Sequence, residues 1–125
     1  GGSDIYCVKP DGNGSWGDAV NQGPNINTAA EEFHFTQDVD GKVYFTSNRP
    51  GGFGGMDIYG AASRGPNDWA PSFNLGEKIN TAGADMCPAL PPGGETMAWF
   101  SSRQDSSFGN ADIFWTSKVN IASEE

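Results

Sequence analysis

Short runs in which apolar and polar residues alternate recur along this chain, each closed by glycine, proline, asparagine or aspartate. Residues 33–37 (FHFTQ), 43–47 (VYFTS), 57–61 (DIYGA) and roughly 69–73 (WAPSF) are rich in β-branched and aromatic residues, and DVDG, RPGGFGG and RGPND stand between them. Such runs are the length of strands, and the intervening residues are turn formers. Residues 4–8 (DIYCV) and 112–116 (DIFWT) have the same character. A helical reading has one foothold: Thr28-Ala-Ala-Glu31 has the form of a capping box. The corresponding Thr81-Ala-Gly-Ala84 lacks the acid, so at most a single turn is expected there. The pattern predicts an all-β fold.

Laid on itself, the chain repeats. SDIYCV at 3–8 returns as MDIYGA at 56–61 and as ADIFWT at 111–116, making Asp4, Asp57 and Asp112 equivalent. Residues 15–33 (SWGDAVNQGPNINTAAEEF) match 68–86 (DWAPSFNLGEKINTAGADM) without a gap at an offset of 53, pairing Trp16 with Trp69 and Ile26-Asn27-Thr28 with Ile79-Asn80-Thr81. VYFTSNRPGGFGG at 43–55 matches AWFSSRQDSSFGN at 98–110, with one residue lost before Arg103 and one gained in the loop. A period near 50 residues marks a repeat architecture in which each period is one supersecondary unit packed on its neighbours. Four short strands per period suggest β-propeller blades of four antiparallel strands. Residues 1–125 then form a single unit of about two blades and part of a third.

The stretches INTAAEEF, DGKVYFTSNRPGGFGGMDIY and W-x-x-x-x-N-L-G-x-x-I-N-T resemble the TolB-type, WD40-like β-propeller repeats of bacterial cell-envelope proteins. The likeness covers nearly the whole chain. The second copy, PPGGETMAWFSSRQDSSFGN, keeps Ser102, Arg103, Phe108 and Gly109 but lacks the proline and most of the glycines. The resemblance implies a periplasmic or cell-surface location and a scaffolding or ligand-binding role. Such repeats often stand beside peptidoglycan-binding domains of the OmpA type, and no such domain is seen in this sequence.

Composition narrows the partners. Sixteen acidic residues against seven basic ones give a formal net charge of −9, which argues against nucleic acid as a ligand. No apolar run approaches the roughly 20 residues of a membrane span, and GGSDIY has neither region of a signal peptide, so the chain is expected to be soluble, with any export signal already removed. Cys7 and Cys87 have no metal-ligand spacing, and a disulfide between them requires the fold to bring them together. Neither a metal nor a cofactor is expected.

Four groups of residues carry candidate chemistry. The glycine-rich RPGGFGGMDIY reads as a turn between the second and third strands of a blade, braced by an Arg49–Asp57 bridge, as Arg103–Asp112 would brace the next. A phosphate cradle would need a helix after the glycines, where a strand is expected. In EEFHF, strand alternation puts Glu32 and His34 on one face and Phe33 and Phe35 on the other, with Asp85 and Cys87 at the matching positions of the second copy. First strands line the channel of a propeller, so these four side chains form either an axial ligand site or a plain polar wall. Asp38-Val39-Asp40-Gly41 has the start of a calcium loop without its later ligands and reads as a hairpin turn. Trp16 and Trp69, with Trp99 and Trp115, either pack between blades or, if exposed, stack on sugars. No G-x-S-x-G is present.

Propellers close with roughly four to eight blades. The chain is therefore expected to be a piece of a longer protein or to assemble head to tail, most readily as a homo-trimer of six blades, with a dimer or tetramer as lesser options. Chain ends of one strand type would let a terminal strand be lent to a neighbour. The expected function is a binding or scaffold module for a glycan, a small molecule or an envelope protein. The alternative is a lyase or hydrolase completed by assembly, with His34 as general base and Glu32, Asp85 or an arginine as its partner.

Overall fold

A computed structural model describes residues 1–103, 109–118 and 121; Phe108 and most of the second glycine-loop equivalent lie outside them. The strands are β1 (Tyr6–Cys7), β2 (Val20–Asn21), β3 (Glu32–Gln37), β4 (Val43–Ser47), β5 (Asp57–Ala61), β6 (Ser63–Gly65), β7 (Asp68–Trp69), β8 (Phe73–Asn74), β9 (Asp85–Ala89), β10 (Thr96–Ser101) and β11 (Asp112–Ser117). They form a four-stranded antiparallel sheet β3-β4-β5-β8, a three-stranded sheet β11-β10-β9, and the pairs β1-β2 and β6-β7. The fold is all-β, and no α-helix occurs among the described residues. None there is long and apolar enough to cross a membrane.

The expected fourth strand is divided. Trp69 belongs to a small hairpin with β6, and only after Ala70 and Pro71 does the chain return to pair Phe73 with Gly60 and Asn74 with Tyr59. Proline lacks the N–H a continuous strand would use, which accounts for the break. The capping box opens no helix. Thr28 instead accepts the N–H of Ala30 on its hydroxyl and donates that hydroxyl to Glu32, closing a tight turn.

The four-stranded sheet separates two apolar clusters. Ile26, Val43, Phe45, Tyr59, Ala61 and Trp69 pack on one side with Ile5 against them; Tyr44, Ile58, Leu75, Ile79, Met97 and Trp99 pack on the other, between this sheet and β9-β10-β11. Burying each large side chain contributes about 1.5–3 kcal/mol, so the stability of so small a domain rests on these two layers.

The sequence period reappears as hydrogen bonding. Asn27 accepts the N–H of Ile5 and donates to its carbonyl, and Asn80 does the same to Ile58. Tyr6 and Cys7 pair with Asn21 and Val20, as Tyr59 and Gly60 pair with Asn74 and Phe73. The second strands align differently from the sequence match. Ser101 holds the place of Ser47 and Trp99 that of Phe45, so VYFTSNR fits MAWFSSR without a gap, one residue away from the expected register.

Regular alternation fails in the first strand of each sheet. Between Phe33 and Thr36, and between Met86 and Ala89, one extra residue is accommodated in a β-bulge. His34 (φ 55°) and Cys87 (φ 57°) take left-handed backbone at these bulges. Residues other than glycine adopt that conformation at a cost of order 1–3 kcal/mol and concentrate at functional positions.

Candidate functional site

Two matching ion-pair networks hold the first strand of each sheet. Glu32, whose side chain is fully buried, accepts the N–H and hydroxyl of Thr28 at 2.8 and 2.7 Å and the hydroxyl of Ser47 at 2.8 Å, and meets Arg49 at 3.2 Å. Asp85, equally buried, accepts from Thr81 at 2.7 and 2.9 Å and from Ser101 at 2.6 Å, and meets Arg103 at 3.3 Å. Each guanidinium also donates to a carbonyl, that of Ile26 or of Ile79, and lies over an aromatic pair: Phe45 and Tyr59 under Arg49, Trp99 and Phe114 under Arg103. Arginine suits this position because its planar fork can donate at its edge while its face stacks.

The expected loop bridge from Arg49 to Asp57 is not made. Asp57 accepts the N–H of Phe53 at 2.6 Å and the amide of Asn74 at 3.3 Å, and its Oδ1 is buried with no hydrogen-bond partner among the described residues. Arg49 turns the other way, to Glu32, because the register of β3 on β4 sets Glu32 opposite Ser47 at the arginine's root. In the second copy Arg103 likewise reaches Asp85.

Burial raises the pKa of the Asp57 carboxyl above the usual carboxylate range. A carboxyl whose folded pKa is raised stabilises the fold at pH below its unfolded value, and that contribution is lost as pH rises through the folded pKa. Asp57→Asn should therefore gain stability relative to wild type as the pH is raised from the acid range to neutrality. Urea melts of both proteins across that interval check this, and a constant difference would show that the Asp57 pKa is the same in the folded and unfolded chain.

Glu32 and His34 do not share a face. The bulge reverses the alternation after Phe33, leaving Glu32 inside and His34 exposed, and it does the same to Asp85 and Cys87. The structure instead brings the two bulge residues together: Cys87 Sγ stands 3.4 Å from Nδ1 and 3.5 Å from Nε2 of His34. The Cys87 N–H donates to Thr46 Oγ1 at 3.1 Å, which ties this contact to the centre of the neighbouring sheet. The His34 ring also meets Phe33 edge to face at 4.6 Å. Burial pushes the Cys87 thiol pKa up, so at neutral pH it stays a thiol rather than a nucleophilic thiolate. The pair offers an exposed set of donors and acceptors drawn from two sheets. Cys7 and Cys87 are both free, so the disulfide is absent.

The tryptophans diverge despite their equivalence. Trp69 is buried, donates its indole N–H to Gln22 at 2.8 Å and packs against Phe35, which is the packing role. Trp16 is 66% exposed and remains free for stacking. The Asp38–Gly41 stretch forms the expected turn, with Asp38 Oδ1 accepting the N–H of Asp40 and Lys118 reaching both carboxylates at 2.8 and 2.6 Å. Among the described residues no cluster of three or more His, Cys, Asp or Glu is placed to hold a metal.

Sequence reasoning missed Thr28, Ser47, Thr81 and Ser101, the hydroxyls that complete the buried networks. Their signal was present as identical residues at matching places in both periods. Comparison with known proteins finds no matching family profile, no matching curated protein and no matching solved structure.

Proposed function

We propose that this chain is a ligand-binding or scaffold module of the bacterial cell envelope built from propeller blades, with β3-β4-β5-β8 as one blade and β9-β10-β11 as three strands of the next. The envelope location follows from the sequence resemblance alone. The blade reading is supported by the meander order of the sheets and by the repetition of their Asn, Thr, Ser and Arg hydrogen bonds at matching positions. One observation carries the site: His34 and Cys87, equivalent residues in strained left-handed backbone, are both exposed and touch each other across two sheets. Packing has no need of such strain at two surface positions, whereas presentation of paired side chains to a ligand accounts for it. The ligand class is a small polar molecule, a glycan or an envelope protein. An enzymatic use of His34 would need a carboxylate other than Glu32 or Asp85, since both are held by arginines.

Screening a glycan array and a small-molecule thermal-shift library with wild type and with a His34→Ala/Cys87→Ser variant tests the site. Hits of the wild type are expected to disappear in the variant. Hits retained there and lost in Trp16→Ala would move the site to the exposed indole near β2, and hits indifferent to all three residues would refute the assignment.

A further inference from the structure

We propose that the groove between the β1-β2 pair and the β6-β7 hairpin binds a small zwitterion of the amino acid or dipeptide class. The inference stands apart from the His34–Cys87 site. Two adjoining cavities of about 390 and 310 Å³ make up the groove, and Cys7, Lys9 and Asn67 line both. Their size suits a small ligand. The groove opens where the two periods differ: Gln22 and Val20 stand at the places of Leu75 and Phe73. Leu75 is buried in the second apolar cluster, and the Phe73 ring closes so tightly over Gly60 that a Cβ there would come within 3.0 Å of it. The first period thus holds a buried amide and a smaller side chain where the second is filled with hydrocarbon.

A relay of hydrogen bonds fixes what this floor presents. The Trp69 indole can only donate, so its N–H, 2.8 Å from Gln22 Oε1, sets which end of that buried amide is oxygen. Gln22 Nε2 therefore points the other way, to the Val20 carbonyl at 2.9 Å and to Asn67 Oδ1 at 3.0 Å. With its oxygen engaged, Asn67 keeps the two N–H donors of Nδ2 without a partner among the described residues, at the junction of the cavities. Lys9 lines the same junction, and Asp11 and Asp18 line the smaller cavity with it. None of these three charges is in an ion pair among the described residues. An ammonium beside amide donors suits a carboxylate, and two carboxylates suit an ammonium. A ligand with both ends satisfies the groove, whereas a plain anion meets Asp11 and Asp18 and a plain cation meets Lys9.

The two free thiols provide the test, because half-buried Cys7 lines both cavities while exposed Cys87 belongs to the other site. Alkylation of each by iodoacetamide is followed by mass spectrometry on the 125-residue chain, with free glycine, glycylglycine, acetylglycine or glycinamide present at millimolar concentration. A zwitterion at twice its dissociation constant should slow the labelling of Cys7 about threefold and leave Cys87 unchanged. Protection by glycylglycine alone would assign a dipeptide, and protection by free glycine as well would assign the amino acid class. Lys9→Met, Asp18→Asn and Asn67→Gly should each raise the concentration needed about tenfold. These side chains are exposed, and glycine keeps the left-handed backbone of Asn67 (φ 56°), so circular dichroism should show all three variants folded. No protection of Cys7 by either zwitterion, equal protection by acetylglycine or glycinamide, or protection indifferent to Lys9→Met would each overturn the proposal. Protection of Cys87 alone would overturn it too, while supporting a ligand at His34 and Cys87.

Discussion

Glu32→Ala is expected to destabilise the chain by about 3–5 kcal/mol, enough to leave a domain of this size marginally folded. The reason lies in what the carboxylate leaves behind. Thr28 loses the acceptor for both its N–H and its hydroxyl, Ser47 loses the acceptor for its own, and the Arg49 guanidinium, with a side chain only 14% exposed, remains as a charge without its anion. Removing one partner of a buried pair costs more than the pair itself contributes, because the survivor is neither solvated nor neutralised. Asp85→Ala should behave alike, since it strips the same set from Thr81, Ser101 and Arg103. Urea denaturation with a fixed m-value measures both. A loss below about 1 kcal/mol at Glu32 would show that water enters the network and that the arginine, not the carboxylate, is its structural centre. Asp57→Ala, by contrast, removes a partner from neither ion pair, because Asp57 bonds Phe53 and Asn74 while the arginines pair with Glu32 and Asp85.

The period, the all-β class and most strand positions were legible in the sequence, because they depend on local alternation and turn residues that recur at an offset of 53. What was not legible depends on register. A single extra residue at His34 turns the strand over, and no local signal marks it, since EFHFT alternates as well as an unbulged strand does. The partner of Arg49 was misjudged for the same reason. Asp57 is nearer in the chain, but Glu32 is brought closer by pairing with Ser47, and pairing is a long-range fact. The one-residue error in matching β4 to β10 came from aligning aromatic identities, VYF onto AWF, where the constraint that matters is the serine two residues before each arginine. At Trp16 and Trp69 the repeat predicted equivalent surroundings. They differ because Trp69 lies under Phe35, from a strand that follows the first I-N-T turn, while the strands around Trp16 bring no such ring to it.

The glycine-rich loop that prompts the phosphate reading has a steric role that one substitution isolates. Gly54→Ala should cost about 2–3 kcal/mol, whereas Gly55→Ala, one residue later in the same loop, should be close to neutral. A Cβ at Gly54 would fall inside contact distance of the Thr81 and Gly83 carbonyl oxygens and lie 2.9 Å from the carbonyl carbon of Ala82. These are backbone atoms of the turn whose Thr81 holds Asp85, so they cannot give way without loosening the second network. At Gly55 a Cβ would meet nothing within 4 Å. The same collision occurs 53 residues earlier, where a Cβ on Gly1 would strike the carbonyls of Thr28 and Ala30, so close backbone approach at this point is a property of the repeat and not of one loop. Thermal or urea melts of the two alanine variants decide the matter. If they melt alike, the glycines serve conformational freedom rather than contact between sheets, and the second network is seated on the first sheet by hydrogen bonds instead: the grip of Asn80 on Ile58, the Asp85 N–H on the Met56 carbonyl and the Cys87 N–H on Thr46.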